Sequence, residues 1–205
     1  MNIARILYPV EVLGPGKRLG IWLVGCQRQC PECSNPELWN TKPFYEVNLK
    51  DLRKMIKPIM VQRHVDGIII TGGEPFNQAE ELVLLLKSLE KYTDDIIVFT
   101  GYTLEELKEA DMSTRECLAH IGVIIDGPYI DALNSGTAMR GSDNQKIHIL
   151  KKSLIAKYEA YLSSYKNSIQ NFITKDGIIS VGIHKRKFKE DLTEKSRKKG
   201  VVFNE

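Results

Sequence analysis

Short apolar runs and helix-like segments alternate along the chain. Runs of strand-forming residues, each followed by glycine, threonine or aspartate, lie at 20–24, 66–71, 95–99 and 121–125. Elsewhere leucine and isoleucine recur every three or four positions, as Leu49, Leu52 and Ile56 do within residues 48–60. Strand, loop and helix in this order predict βα units, and therefore an α/β fold with a parallel sheet and outer helices.

The predicted helices begin at residues that can cap them. Asn48 precedes the first helix. Capping boxes, in which a polar residue is followed three positions later by glutamate, are predicted from Asn77 with Glu80, from Thr103 with Glu106 and from Ser113 with Glu116. The loops that follow the strands would then share one edge of the sheet, where β/α barrels carry their chemistry. A full barrel takes about 250 residues, so a chain of 205 predicts a partial, open barrel.

The last part of the chain, residues 151–205, is predicted to add a helix, a strand and a second helix. The expected helix covers 151–172, and the strand covers 178–182. A basic helix is predicted at 186–199, with Phe188 and Leu192 facing inward, and a last strand at 201–203. This extension either continues the barrel wall or alters the surface that meets a partner. We assign no role to His184 within it.

Composition is that of an ordinary globular protein, with 42% hydrophobic and 27% charged residues. The first 24 residues contain no signal-peptide pattern, and no apolar run approaches the length of a membrane span. Free clustered cysteines then favour a reducing cytoplasm. The net charge is +3, but residues 184–199 alone carry +5. A solvated helix face is the first interpretation of that segment, and a docking surface for an acidic partner or nucleic acid is the second, with nucleic acid the less expected of the two.

Three of the four cysteines, Cys26, Cys30 and Cys33, fall in one stretch at 25–39 with the spacing C-x3-C-x2-C. Three is an odd number for disulfides. A structural zinc ion normally has four protein ligands, and no fourth cysteine or histidine lies nearby. A four-iron cluster held by three thiolates keeps one iron free to bind another ligand, as a catalytic cluster requires. Cys117, far along the chain, is predicted to be a small buried residue.

This cysteine spacing resembles that of the radical S-adenosylmethionine (SAM) superfamily. Within it the chain resembles the activating proteins of anaerobic ribonucleotide reductases, which act on a glycyl radical enzyme. Beyond the cysteines, the matching segments occur in the same order, at residues 8–10, 14–16, 71–75, 100–102, 125–129 and 140–145. The resemblance covers about residues 1–150, which we predict to be the catalytic core, and it implies the open barrel as well.

The resemblance implies a 4Fe-4S cluster on the three cysteines and SAM on its open iron. The reduced cluster would cleave SAM to methionine and a 5′-deoxyadenosyl radical, which would take a hydrogen atom from a glycine of the partner. A flavodoxin or ferredoxin would supply the electron. The implied SAM-binding positions follow the motifs of the family: Glu32, Ser34, Gly72, Gly73, Glu74, Pro75, Thr100, Tyr102, Asp126 and Arg140.

Two departures from the family pattern leave alternatives open. Many members have an aromatic residue before the third cysteine, to contact the adenine of SAM, but this chain has Glu32. Trp39, Phe99 and Tyr102 are the aromatic candidates that remain. The extension at 151–205 is the second departure. A radical SAM enzyme that modifies another peptide or protein is therefore one alternative, and a non-enzymatic iron–sulfur protein that binds a partner is another.

Overall fold

The computed structural model describes residues 1–175 and 177–198, and its centre is a six-stranded sheet. The strands lie side by side in chain order: β1 Ile3–Val10, β2 Arg18–Leu23, β3 Gly67–Gly72, β4 Ile96–Phe99, β5 Val123–Asp126 and β6 Lys146–Ile149. The four inner strands, β2 to β5, pair in parallel. The prediction of a parallel sheet is therefore correct for these strands and for their outer helices.

Both edge strands are antiparallel to their neighbours, which corrects the prediction of a wholly parallel sheet. A parallel connection needs a crossover, usually a helix, to carry the chain back. Only residues 11–17 link β1 to β2, and the long loop at 127–145 links β5 to β6 without a crossover helix. The sequence reasoning had no strand at either edge. β6 was missed because its pattern is short and half-buried.

Four helices pack on one face of the sheet: α1 Leu49–Gln62, α2 Ala79–Leu89, α3 Leu104–Glu109 and α4 Met112–Ala119. Side chains alternate along each strand, so Ile68 and Ile70 of β3 point toward these helices and Ile69 points away. We call the first side the helix-covered face. Its core is apolar and includes Cys117, which is fully buried as predicted.

Two of the four predicted helix caps are confirmed. The side chain of Asn48 accepts a hydrogen bond from the backbone N–H of Asp51 at 2.9 Å, and Thr103 forms the predicted capping box. The other two are wrong. Residues Pro75–Gln78 form a 3-10 turn ahead of α2, so Asn77 lies inside that turn. Asp111 caps α4 instead of Ser113, because its carboxylate accepts from both the N–H and the hydroxyl of Thr114.

The extension differs most from its prediction. The helix expected at 151–172 ends early: α5 covers only Ile155–Ser163. The hydroxyls of Ser163 and Ser164 bond back to the carbonyl of Ala160, which competes with continued helix. The chain then forms β7 Ile169–Thr174, which pairs antiparallel with β8 Gly177–Gly182. Within the described residues these two strands form a sheet of their own and add nothing to the six-stranded sheet.

The predicted strand at 178–182 is confirmed as β8, and the predicted basic helix is confirmed as α6 Phe188–Lys198. Phe188 is half-buried and stacks on His184 with the ring centroids 4.2 Å apart. Leu192 is 38% exposed, so the prediction that it faces inward is wrong. The strand expected at 201–203 lies outside the described residues.

The extension covers the second face of the sheet. Leu154, Tyr158, Val181 and Ile183 are buried there against strand residues such as Ile97. We call this side the extension-covered face; loop residues, including Leu13 and Met139, complete it. No helix among the described residues is long and apolar enough to cross a membrane.

Candidate metal and cofactor site

The loops at the C-terminal ends of the inner strands are joined by backbone hydrogen bonds. The N–H groups of Gly73 and Glu74, after β3, donate to the carbonyls of Leu23 and Gly25, after β2, at 2.9 and 2.8 Å. Further along the edge, Thr100 N–H donates to the carbonyl of Ile125 and Gly127 N–H to that of Tyr102, both at 2.9 Å. Motifs that lie far apart in the sequence therefore meet at one edge of the sheet.

A cavity of about 200 Å³ opens at this edge. All three clustered cysteines, Cys26, Cys30 and Cys33, lie in its wall. Of the other predicted site residues, those that also line it are Ser34, Gly72, Gly73, Glu74 and Thr100. The structure thus brings the cysteine loop and the Gly-Gly-Glu turn together around a common space.

The cysteine loop is suited to a cluster. Its three thiols are free and partly exposed. The N–H of Asn35 donates to the sulfur of Cys33 at 3.4 Å, and the buried indole N–H of Trp39 lies near the same sulfur. Burial raises the pKa of the Cys33 thiol, and the N–H groups of Asn35 and Trp39 partly oppose this by favouring the thiolate.

Within the described residues, no three Cys, His, Asp or Glu side chains are placed to hold a single metal ion. Each thiolate of a four-iron cluster binds a different iron, so its cysteines need not converge on one point. Three thiols on one cavity, with N–H donors at the sulfur of Cys33, fit a 4Fe-4S cluster better than they fit a mononuclear ion.

Gly72, the last residue of β3, and Gly73, which follows it, are required by the packing of the loops. Gly72 has a φ of +112°, in the region that side-chain-bearing residues rarely adopt. A Cβ on Gly73 would lie 2.5 Å from the carbonyl oxygen of Gly25. Because neither glycine has a side chain, this turn can lie directly against the cysteine loop. The cavity is also wider at this point than it would be with side chains in its wall.

Glu74 is almost completely buried, at 2% exposure, and its carboxylate is extensively hydrogen-bonded. Its Oε1 accepts from the Thr100 hydroxyl at 2.8 Å and from Phe76 N–H at 3.1 Å, and its Oε2 accepts from Gly101 N–H at 2.8 Å. Burial raises the pKa of Glu74, and these three donors only partly offset that effect. The carboxylate holds the ends of β3 and β4 together, and Oε2 retains room for one further donor from the cavity.

Five predicted site residues do not line the cavity. Glu32 is exposed, with a φ of +56°, and Pro75 is buried at the start of the 3-10 turn. Arg140 donates to the carbonyl of Gln145 at 3.0 Å and so closes the loop at 127–145. Its neighbours Gly141 and Gln145 do line the cavity.

Asp126 and Tyr102 have structural contacts near the cavity. The carboxylate of Asp126 accepts from Leu104 N–H at 2.7 Å and from Lys146 N–H at 3.2 Å, and it lies 3.0 Å from the imidazole of His148. Tyr102 packs under the guanidinium of Arg28, with Cζ 4.2 Å from the ring centroid. Of the three aromatic candidates for an adenine contact, Trp39 and Phe99 line the cavity and Tyr102 does not.

Arg28 is a cavity residue that the sequence reasoning missed. Its guanidinium lies between the ring of Tyr102 and the carboxylate of Glu106, 3.3 Å from both carboxylate oxygens. Arg28 places a positive charge within the cysteine loop itself. The position of Arg28 between two cysteines could have suggested a role in the site. A loop sequence does not show, however, which way a side chain points.

The extension also reaches the cavity. Residues 180–184, at the end of β8, line it together with the cysteines. Sequence reasoning gave these residues no role, because nothing in the local pattern of 151–205 indicates that the segment returns to the strand ends.

Comparison with known proteins supports an iron–sulfur site. A family model described as a 4Fe-4S single cluster domain matches residues 12–148. The chain is 33% identical over 152 residues to the anaerobic ribonucleoside-triphosphate reductase-activating protein of enterobacteria phage T4. This match covers 72% of this chain and 93% of the phage protein. It is 30% identical over 154 residues to the protein of the same name from Escherichia coli K12, with 70% and 96% covered. The Vibrio cholerae protein of that name is 34% identical over 151 residues, with 69% and 94% covered.

Proposed function

Since the chain belongs to the family of anaerobic ribonucleoside-triphosphate reductase-activating proteins, radical SAM enzymes that act on glycyl radical enzymes, we propose that it cleaves SAM reductively and generates a glycyl radical on such a reductase. The observation that carries the proposal is the common cavity of Cys26, Cys30, Cys33 and the Gly-Gly-Glu turn. The cluster and SAM, when bound, supply the one-electron cleavage of a carbon–sulfur bond and the abstraction of a hydrogen atom.

The residues of the chain hold and orient these groups. The three thiolates would hold the cluster, to which SAM would bind. Glu74 keeps one carboxylate oxygen available to a donor such as an ammonium group, and Arg28 supplies a positive charge within the loop that would hold the cluster. Trp39 and Phe99 provide apolar surface for a base. The implied roles of Glu32, Ser34, Gly72, Gly73, Pro75, Thr100, Tyr102, Asp126 and Arg140 in binding SAM remain part of this proposal.

We further infer that residues 1–150 form an open radical SAM-type barrel and that 151–205 are an extension to it. The mostly parallel sheet, with the cavity at the C-terminal ends of its strands, supports the barrel. The family match at 12–148 supports the division. A cytoplasmic location and a flavodoxin or ferredoxin electron donor belong to the same proposal.

The first test is SAM cleavage without oxygen. The protein is loaded with iron and sulfide, reduced and mixed with SAM, and 5′-deoxyadenosine is measured. The native protein is expected to form the nucleoside. The Cys26→Ala/Cys30→Ala/Cys33→Ala variant is expected to lose both its iron and the activity. Cys117→Ala is the matched control: this cysteine is buried under the helices, away from the cavity, so its removal should leave iron content and cleavage intact.

A native protein that holds a full four-iron cluster but forms no nucleoside would contradict the enzymatic proposal and favour the non-enzymatic binding protein. The partner is tested separately. The cluster-loaded protein, SAM and the anaerobic ribonucleoside-triphosphate reductase of the same organism are expected to give the electron paramagnetic resonance doublet of a glycyl radical. Nucleoside formation without that doublet would point to another peptide or protein substrate.

A further inference from the structure

The end of β8 lies in the wall of the candidate cavity, although it belongs to the extension. Residues 180–184 line the same space as the three cysteines. The family match stops at residue 148, and the curated relatives leave nearly a third of this chain unmatched while almost all of their own length is matched. This wall therefore comes from a part of the chain outside the region that defines the family.

The wall is anchored to the core. The side chain of Asn134, in the loop between β5 and β6, donates to the carbonyl of His184 at 2.8 Å. Within the extension itself, the side chain of Asn167 donates to the carbonyl of Ile183 at 3.0 Å. Val181 and Ile183 are buried in the extension-covered face. These contacts hold the strand end at a defined position beside the cavity, so its polar side chains are preorganised for binding.

Two polar side chains of this wall can recognise a ligand. The hydroxyl of Ser180 lies 3.1 Å from Nε2 of His184, whose ring is stacked on Phe188. Burial lowers the pKa of His184, which favours its neutral imidazole. The hydrogen bond between the two side chains uses one donor and one acceptor, so the pair keeps one donor and at least one acceptor for a ligand. This combination matches the peptide group, which has one N–H and one C=O.

We propose that Ser180 and His184 are specificity-determining residues that hydrogen-bond the backbone of the substrate protein's peptide segment as it enters the cavity. The inference rests on the proposed function, in which the target is a glycine. Glycine has no side chain to recognise, so a site can recognise it only through contacts with the backbone around it. The extension gives this chain a peptide-binding wall beside the cluster loop.

The test measures peptide binding rather than turnover. The probe is a fluorescently labelled synthetic peptide that spans the glycyl-radical loop of the anaerobic ribonucleoside-triphosphate reductase from the same organism. It is titrated with the full-length, cluster-loaded protein and SAM, without oxygen, and the anisotropy is read. His184→Ala and Ser180→Ala are each expected to weaken binding about fivefold to tenfold, the effect of one lost hydrogen bond. His184→Gln keeps a donor and an acceptor and should lose less.

His64→Ala is the matched control, because its imidazole is 82% exposed and lies outside the cavity wall. It should bind the peptide like the native protein. Circular dichroism checks that each variant is folded, and Ser180→Ala, which removes only a hydroxyl, is the variant least able to disturb the fold.

Three results would overturn the inference: unchanged peptide affinity in both wall variants, weaker SAM affinity with unchanged peptide affinity, or no peptide binding by the native protein. The second would assign the wall to the cofactor instead. Failure of the proposed function has a different signature, since the native protein would then form no 5′-deoxyadenosine in the separate cleavage assay whatever the peptide affinities are.

Discussion

The two faces of the central sheet are buried by different parts of the chain. The helix-covered face is covered by α1 to α4, all of which lie inside the family match at 12–148. The extension-covered face is buried largely by α5 and β8, which lie outside it. A sheet with two apolar faces needs both covered, so in this protein the region shared with its relatives is completed by a segment that the match does not include.

The faces also differ in chemistry. Between the sheet and the helices, the core of the helix-covered face is formed by apolar side chains, and the buried carboxylate of Asp126 lies at the end of β5. The extension-covered face has a buried ionic cluster where the inner strands begin: Arg18 pairs with Asp95 at 2.7 Å, and Tyr158 and Lys157 of α5 bond to the same carboxylate at 2.5 and 2.6 Å. At the other end of the strands this face adjoins the cavity. The extension is thus tied to the core by specific polar contacts as well as by apolar burial.

Deletion of residues 151–205 tests the difference between the two faces most strongly and should have the largest effect on stability. It would expose an apolar sheet face and remove the buried side chains Leu154, Tyr158, Val181 and Ile183. Each is worth about 1.5–3 kcal/mol of burial, so the loss approaches the whole stability of a typical domain, about 5–15 kcal/mol. We expect chain 1–150 to aggregate or to bind a hydrophobic dye. A chain ending at 187, which lacks only α6 and the residues after it, is the control and should stay folded. Equal melting temperatures for 1–150 and the full chain would contradict the prediction.

The Asp95→Asn substitution tests the ionic cluster alone and should cause the next largest loss of stability. Arg18 would remain fully buried without its counter-charge, which costs about 3–5 kcal/mol in the free energy of unfolding. Urea denaturation at neutral pH measures this. Asp51→Asn is the control, because Asp51 forms an exposed pair with Lys54, and it should matter far less.

The pH dependence has a definite sign. Burial alone raises the pKa of Asp95, but the hydrogen bond and charge of Arg18, with the bonds from Lys157 and Tyr158, outweigh it and hold that pKa below its usual value. The stabilisation is therefore present above the unfolded pKa, about 3.9, and is lost as the pH falls through the folded one. The difference between native protein and Asp95→Asn should shrink in acid. A difference that stays constant down to pH 3 would refute this account.

The Tyr158→Phe substitution is the smallest change and tests a single polar contact of the extension-covered face. The ring remains buried, and only the hydroxyl that donates to Asp95 is lost. A hydrogen bond to a charged group contributes about 1.5–3 kcal/mol, so this variant should be less destabilised than Asp95→Asn and should keep its fold. Thermal unfolding measures the shift. Tyr92→Phe, whose tyrosine is 43% exposed, is the control. Equal melting temperatures for Tyr158→Phe and the native protein would show that the hydroxyl of Tyr158 does not help to hold α5 on the sheet.

The local pattern predicted the inner strands and the short helices because their side chains repeat at a fixed spacing. The same reasoning failed in 151–172, where Tyr165 and Ile169 continue a helical spacing after the helix has ended. Apolar periodicity cannot show that the serines at 163 and 164 bond back to Ala160 and stop the helix. It also missed β6, since an edge strand with half-buried residues has little apolar contrast.

By itself the sequence determined the cysteine loop, the Gly-Gly-Glu turn and the βα order, because ligand spacing, backbone freedom and side-chain periodicity are local properties of the chain. Only the tertiary structure decided which residues share the cavity. The side chain of Arg28 packs on Tyr102, the carboxylate of Asp126 accepts from backbone N–H groups, and His184 is brought to the cavity by the extension. These placements depend on contacts between segments far apart in sequence, and no local pattern encodes which distant backbone or side chain will fill the space beside a given residue.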